Sequence, residues 1–257
     1  MGQPPKKREP LMDQAYFDRM VQFETETIAS SEARLAQPSK GTPASRANYA
    51  YSIFRKRFQS LILRYSRGEE IAEIANDFPA AIDSWRRYLT MEGHREPGPL
   101  GQDISDYVRA MWLVSLAIIF AVKDDVFERL LACIGAPGQD ALLERLIATR
   151  VRNRPAAAGL VFPKPYEALF QAIDASPAEQ PQLFQKFLKA WYPAMGSMEA
   201  YWHDSHKGPD GGGFFGYWCI EAAGVVVAFN IDDSAFRSAP YYPGDLAASG
   251  RMKRAAG

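Results

Sequence analysis

His203 and His206 stand at i and i+3 in the string WHDSHK, a spacing that puts two imidazoles on one face of a helix. Such a pair could begin a zinc site. Zinc wants three or four ligands, however, and neither an HExxH nor a CxxC pattern completes the set. Asp204 is adjacent to His203 in sequence and points off that face, so a hydrogen-bonded cluster with Lys207 at a helix end fits these residues better than a metal. The next stretch, KGPDGGGFFG, has the glycine content of a phosphate cradle without its order. Its lysine precedes the glycines, and no GK[ST] opens the following helix. Gly208, Asp210, Gly211, Gly212 and Gly213 are therefore read as a flexible connection.

Two further patterns concern carboxylates. Asp124, Asp125 and Glu128 in DDVFE have the spacing with which all-α terpene synthases hold Mg²⁺ against a diphosphate. The second metal motif of such enzymes is missing, and acids at a helix start also stabilise the macrodipole with no metal at all. Glu221 lies between Ile220 and Ala222 in the apolar run FFGYWCIEAAGVVVAF, where a helix is apolar nearly all round and thus buried. A lone buried carboxylate costs several kcal/mol unless it is paired or protonated. The expected partners come from 201–207 or 232–242, with His203, His206, Lys207 and Arg237 as candidates. No Ser/His/Asp or Cys/His arrangement is convincing, and Cys133 and Cys219 sit in apolar stretches as reduced, buried thiols. No catalytic residue, metal ligand or cofactor is assigned.

The elements that position these residues read as helices throughout. Apolar residues recur at three- and four-residue steps from Phe54 to Tyr65 and from Ile71 to Leu89, with a kink or fresh start at Asp77–Pro79. Helices are expected at 11–35, 104–122, 125–134, 139–150, 165–174, 178–192, 197–207 and 214–230, with 94–103 as the clearest interior loop. SPAE at 176–179 has capping-box form. The fold expected is all-α, built of helical hairpins with little or no β. Its parts are a disordered tail at 1–10, helical segments at 11–122 and 123–250, and a tail at 251–257.

Composition narrows the function classes. Forty-seven per cent hydrophobic residues make a globular chain, and 30 Lys+Arg against 30 Asp+Glu leave no global field to recruit nucleic acid. The start MGQPPKKREP has no apolar stretch behind its charges and reads as a disordered tail, not a signal peptide, while the reduced thiols of Cys133 and Cys219 suggest a cytosolic protein. The longest apolar runs, 110–122 and 214–229, fall short of the roughly 20 residues of a membrane span.

Several strings in order carry a resemblance. WHDSHK, FFGYWCIEAA and IDDSAFRSAPYYPGDL are similar to the signature of PoNi-type immunity proteins, and YSRGEEIAEIANDF, MWLVSLAIIFAVKDD and GLVFPKPYEALFQAI resemble that family's upstream segments. His203 stands where the family wording has an aromatic residue. The resemblance covers about residues 50–246. It implies a non-catalytic all-α protein that binds a cognate DNase toxin of type VI secretion in the cytoplasm. No cofactor, membrane or direct nucleic-acid contact is implied, and a homodimer is left open. His203, Asp204, His206, Lys207, Glu221, Asp232, Asp233, Tyr241 and Tyr242 would then form a polar network that holds the fold or faces the toxin. Partner choice would fall to the 94–103 and 208–213 loops. The alternative from the residues alone is a metal-dependent helical enzyme using DDVFE, or a metal binder using HDSH.

Overall fold

Helix boundaries follow the breakers in the sequence. Asp13 caps the first helix by accepting a 2.7 Å bond from Tyr16 N–H. Thr42 and Pro43 open the second, and Gly68 closes it at φ 105°. The computed structural model describes residues 6–37, 41–94, 100–211 and 213–256, and among these it contains no strand. The chain is all-α. Its helices are α1 (Gln14–Leu35), α2 (Pro43–Arg67), α3 (Ile71–Asn76), α4 (Phe78–Leu89), α5 (Ile104–Ile119) and α6 (Asp124–Ile134). They continue as α7 (Ala141–Ala148), α8 (Pro163–Asp174), α9 (Gln180–Ser197), α10 (Ile220–Phe229) and α11 (Gly244–Ala256). None of the described helices is long and apolar enough to cross a membrane.

Two units interleave along the sequence, so neither coincides with a single run such as 11–122 or 123–250. The first holds residues 1–97, 124–133 and 204–217. There α2 packs against α1 and α4, and Asp77 separates α3 from α4. Asp77 makes no side-chain cap; it pairs with Arg64 instead. Segment 214–217 is tied to this unit through its carbonyls, which accept Tyr16 Oη at Phe214 and Ser66 Oγ at Phe215, both at 2.7 Å.

The second unit holds 98–123, 134–203 and 218–257. Here α10 is buried from Ile220 to Ala228 and packs on α5, α7, α8 and α11. α5 comes close to α10 at Gly224, where a Cβ would lie 2.3 Å from Ser115 Oγ and 2.9 Å from Ser115 Cα. Gly224→Ala should therefore destabilise by about 1–3 kcal/mol or more, since two packed helices must part. A thermal melt should show a loss of about 2–4 °C per kcal/mol, and Ser115→Gly should restore part of it. An unchanged melt would show that the contact is soft.

Three expectations need correction. Residues 197–207 do not form a helix: α9 ends at Ser197, left-handed residues at Glu199 (φ 58°) and Asp204 (φ 57°) break the chain, and only a 3₁₀ turn remains at Ser205–Lys207. The helix expected at 214–230 starts only at Ile220, because the preceding backbone is spent on tertiary hydrogen bonds. The tails are also partly ordered. Residues 1–5 lie outside the described residues, but Arg8 donates to the carbonyls of Tyr65 (3.0 Å) and Glu69 (2.8 Å), and Glu9 is buried. At the other end 251–256 continues α11, held by Arg254 Nη1 on the Val227 carbonyl at 2.7 Å.

Candidate functional site

Glu221 is the second residue of α10 and is 0% exposed, as a lone acid in an apolar run requires. Its carboxylate accepts three neutral donors. Oε1 receives Trp191 Nε1 at 2.7 Å and Tyr166 Oη at 2.9 Å, and Oε2 receives Trp112 Nε1 at 2.6 Å. Burial pushes its pKa up, and these hydrogen bonds oppose the rise without cancelling it. The partners come from α5, α8 and α9, and the expectation that 201–207 or 232–242 supplies them is overturned. α10 turns this residue toward the surrounding helices, away from the loops that flank it in sequence. One signal for the true partners was present: indole N–H groups in fully apolar helices must find an acceptor once buried.

Asp233 is a second buried acid, of opposite character. Its Oδ1 accepts Arg237 Nη2 at 2.5 Å and Arg251 Nη2 at 2.9 Å, and its Oδ2 accepts Tyr242 Oη at 3.0 Å. Burial pushes this carboxyl up, but the two guanidinium groups and the phenol outweigh it and hold the pKa below the usual aspartate value. Tyr242 is pushed up, first by burial and then by the carboxylate beside it. Asp232 is exposed and holds Ser234 through its backbone N–H (3.0 Å) and its hydroxyl (2.9 Å). Tyr241 adopts φ 66°, and its carbonyl accepts Cys219 N–H at 2.8 Å.

The remaining motif residues make contacts within their own units. In the second unit His203 lies against Tyr192, with ring centroids 4.4 Å apart. In the first, His206 Nδ1 meets Tyr217 Oη at 2.8 Å, and Lys207 donates to Asp204 Oδ2 at 2.7 Å. The left-handed Asp204 removes the helical face that the two histidines were expected to share. Among the described residues no group of three or more His, Cys, Asp or Glu could hold a metal. Asp124, Asp125 and Glu128 are exposed at the start of α6, where Arg129 pairs with Asp125 at 3.2 Å. Both cysteines are buried thiols, and burial pushes Cys133 up to about 11. Of the 208–213 loop, Gly208, Asp210, Gly211 and Gly213 are described, and Asp210 is left-handed at φ 52°. Gly212, and 95–99 of the 94–103 loop, lie outside the described residues.

Two family profiles match in tandem. The PoNe immunity protein (PoNi) N-terminal profile matches residues 8–132, and the PoNe immunity proteins (PoNi) C-terminal profile matches 138–246. The chain belongs to the PoNe immunity protein family. PoNi proteins are non-enzymatic inhibitors, so the alternative of a terpene-synthase-like enzyme falls away. No curated protein matches the chain. Among solved structures, protein PA2201 from Pseudomonas aeruginosa is similar, with a TM-score of 0.75 and 18% identity over 99% of this chain and 93% of that one. A likeness at that identity shows the shared fold alone. Within the PoNi match, Glu221 and Asp233 are each fully hydrogen-bonded and shut off from solvent, which is what fold-holding acids need and what a reacting acid lacks.

Proposed function

We propose that this PoNi family member binds the nuclease domain of one PoNe effector, delivered by type VI secretion, and blocks it in the cytoplasm of the producing cell. The observation that carries this reading is the tandem family match over 8–132 and 138–246. Inhibition is by occupancy, with no turnover, metal or direct contact to DNA. A DNase presents a basic groove and metal-binding carboxylates. An inhibitor that fills the groove or docks beside it keeps DNA out. Asp232 and Asp245 are exposed acids, of the charge that such a groove would attract, whereas Asp233 is buried and neutralised and contributes nothing to an acidic patch. A stable complex needs an interface of roughly 1,200–2,000 Å². The 94–103 and 208–213 loops choose among related toxins.

Co-expression with the nuclease domain encoded beside this chain should restore growth, while the nuclease of a distant relative should still kill. Exchanging 208–213 should move that preference. Purified protein should inhibit until the toxin is in molar excess, less so at high salt, and light scattering of the mixture reads whether it enters as one copy or as the homodimer left open. Protection far below stoichiometry, or chemical change in the toxin or its DNA, would end the reading.

A further inference from the structure

The separated family strings meet in one aromatic column within the second unit. Trp112 of α5 lies 5.5 Å from Trp202, which stacks at 5.4 Å on Trp191 of α9. Trp191 stands 5.7 Å from Tyr241, Tyr241 stacks at 4.9 Å on Tyr192, and Tyr192 lies 4.4 Å from His203. The inner rungs are sealed: Trp112, Trp191 and Trp202 are all buried, and the first two donate to Glu221. The outer rungs, Tyr192, His203 and Tyr241, are only half-buried. MWLVSLAIIFAVKDD, WHDSHK and APYYPGD thus each supply a ring to a column that opens on the surface, and IEAA supplies the acceptor Glu221 at its inner end.

Filling a core does not explain the outer end. Tyr241 holds φ 66°, a conformation that glycine adopts freely and an aromatic residue only at a cost. The bond from Cys219 N–H to the Tyr241 carbonyl fixes it there, at the start of the helix that carries Glu221. α9 is cut back to match: a Cβ on Gly196 would lie 2.6 Å from the His203 imidazole. Strain that the surroundings hold in place at Tyr241, beside two further half-buried rings, marks a surface kept ready for a ligand.

We infer that Tyr192, His203 and Tyr241 are a pre-organised anchor that docks against the nuclease domain; the inference rests on the immunity reading. Tyrosines locked by stacking lose little freedom on binding and are favoured at the centre of protein interfaces. Exposed charges of both signs flank Tyr192 in sequence on α9 and the turn after it. Glu199 is exposed in the turn whose N–H bonds the Gly196 carbonyl at 3.1 Å, and Lys189 is exposed one turn before Tyr192 on α9. A DNase groove carries cations for phosphate and carboxylates for metal, so Glu199 complements the first and Lys189 the second. The tyrosine faces also accept a guanidinium. Opposite charges fix the orientation of docking.

The test uses the catalytically inactivated nuclease domain encoded beside this chain, with Kd by calorimetry and stability by thermal melt. Tyr192→Ala should raise Kd at least about thirtyfold, the size of an interface hot spot. Tyr241→Gly should weaken binding with little change in melting temperature, because the left-handed strain that glycine relieves offsets the stacking on Trp191 and Tyr192 that is lost. Glu199→Asn, which suits the positive φ, should weaken binding and flatten its salt dependence. Rings that serve the fold alone would give the reverse pattern, a lower melting temperature with Kd unchanged, and that result overturns the inference. Should Tyr192→Ala fail to fold, hydroxyl-radical labelling of the wild-type complex decides. Protection of Tyr192 and His203 supports the anchor, and unchanged labelling overturns it. If the wild-type chain does not bind the nuclease at all, the immunity reading fails and takes this inference with it. If wild type binds and all three variants bind equally well, the anchor alone is overturned.

Discussion

Glu221→Ala should lower the unfolding free energy by roughly 3–5 kcal/mol, because it leaves three buried donors without an acceptor. Trp112, Trp191 and Tyr166 reach Glu221 from three different helices, and the indole N–H groups have no second role as acceptors. Glu221→Gln is no conservative change here. Its amide N–H₂ would face a site made of donors, so it too should destabilise. The pH dependence separates charge from hydrogen bonding. Burial raises the folded pKa of Glu221 above the ordinary glutamate value of 4.5. A raised pKa means that its contribution is fully present below 4.5 and is lost as pH rises through the folded value. The stability gap between wild type and Glu221→Gln should therefore be widest in acid and shrink toward neutral pH. Denaturant melts at a series of pH values measure this, and a gap that widens with pH would show that the ionised carboxylate is the form the site prefers.

The limits of sequence reading follow from how each residue is held. Helices α1 and α5 were legible within a few residues from apolar periodicity and flanking breakers, whereas of α2 only the apolar steps from Phe54 to Tyr65 were read and its start at Thr42–Pro43 was not. α11 was missed because its burial is narrow and guanidinium groups do much of the anchoring, through Arg251 on Asp233 and Arg254 on the Val227 carbonyl. The burial of Glu221 was legible from its apolar neighbours, but its donors lie 30 to 109 residues away in sequence. Asp232 and Asp233 look equivalent as adjacent acids, yet one is exposed and the other is 0% exposed. Only the path of the chain after Ile231 decides between them. The family strings were readable one by one, while their meeting in an aromatic column is a property of the fold.

Asp233→Ala should cost about 3 kcal/mol, near the low end for breaking a buried pair, because its two cations differ in what they can do afterwards. Arg237 has 53% of its side chain exposed and can turn to water, whereas Arg251 at 22% is more confined and loses its anchor. Tyr242 Oη is also left buried without its acceptor. Arg251→Met should cost less than Asp233→Ala, and the double variant should recover part of the loss, since it removes the stranded charge. The pH signature is opposite to that of Glu221. Burial acts to raise the Asp233 pKa, but the donors from Arg237, Arg251 and Tyr242 prevail and depress it below the ordinary 3.8. The stability it supplies is therefore fully present above 3.8 and is lost as pH falls through the folded value. Wild type and Asp233→Asn should differ at neutral pH and converge in strong acid, the reverse of the Glu221→Gln series. One carboxylate favours the fold when protonated and the other when ionised, so the two variants together separate the acid limb of stability from the neutral one. Parallel curves for wild type and Asp233→Asn down to low pH would show that this aspartate keeps its charge balance in the unfolded chain as well, and would remove it from the acid limb.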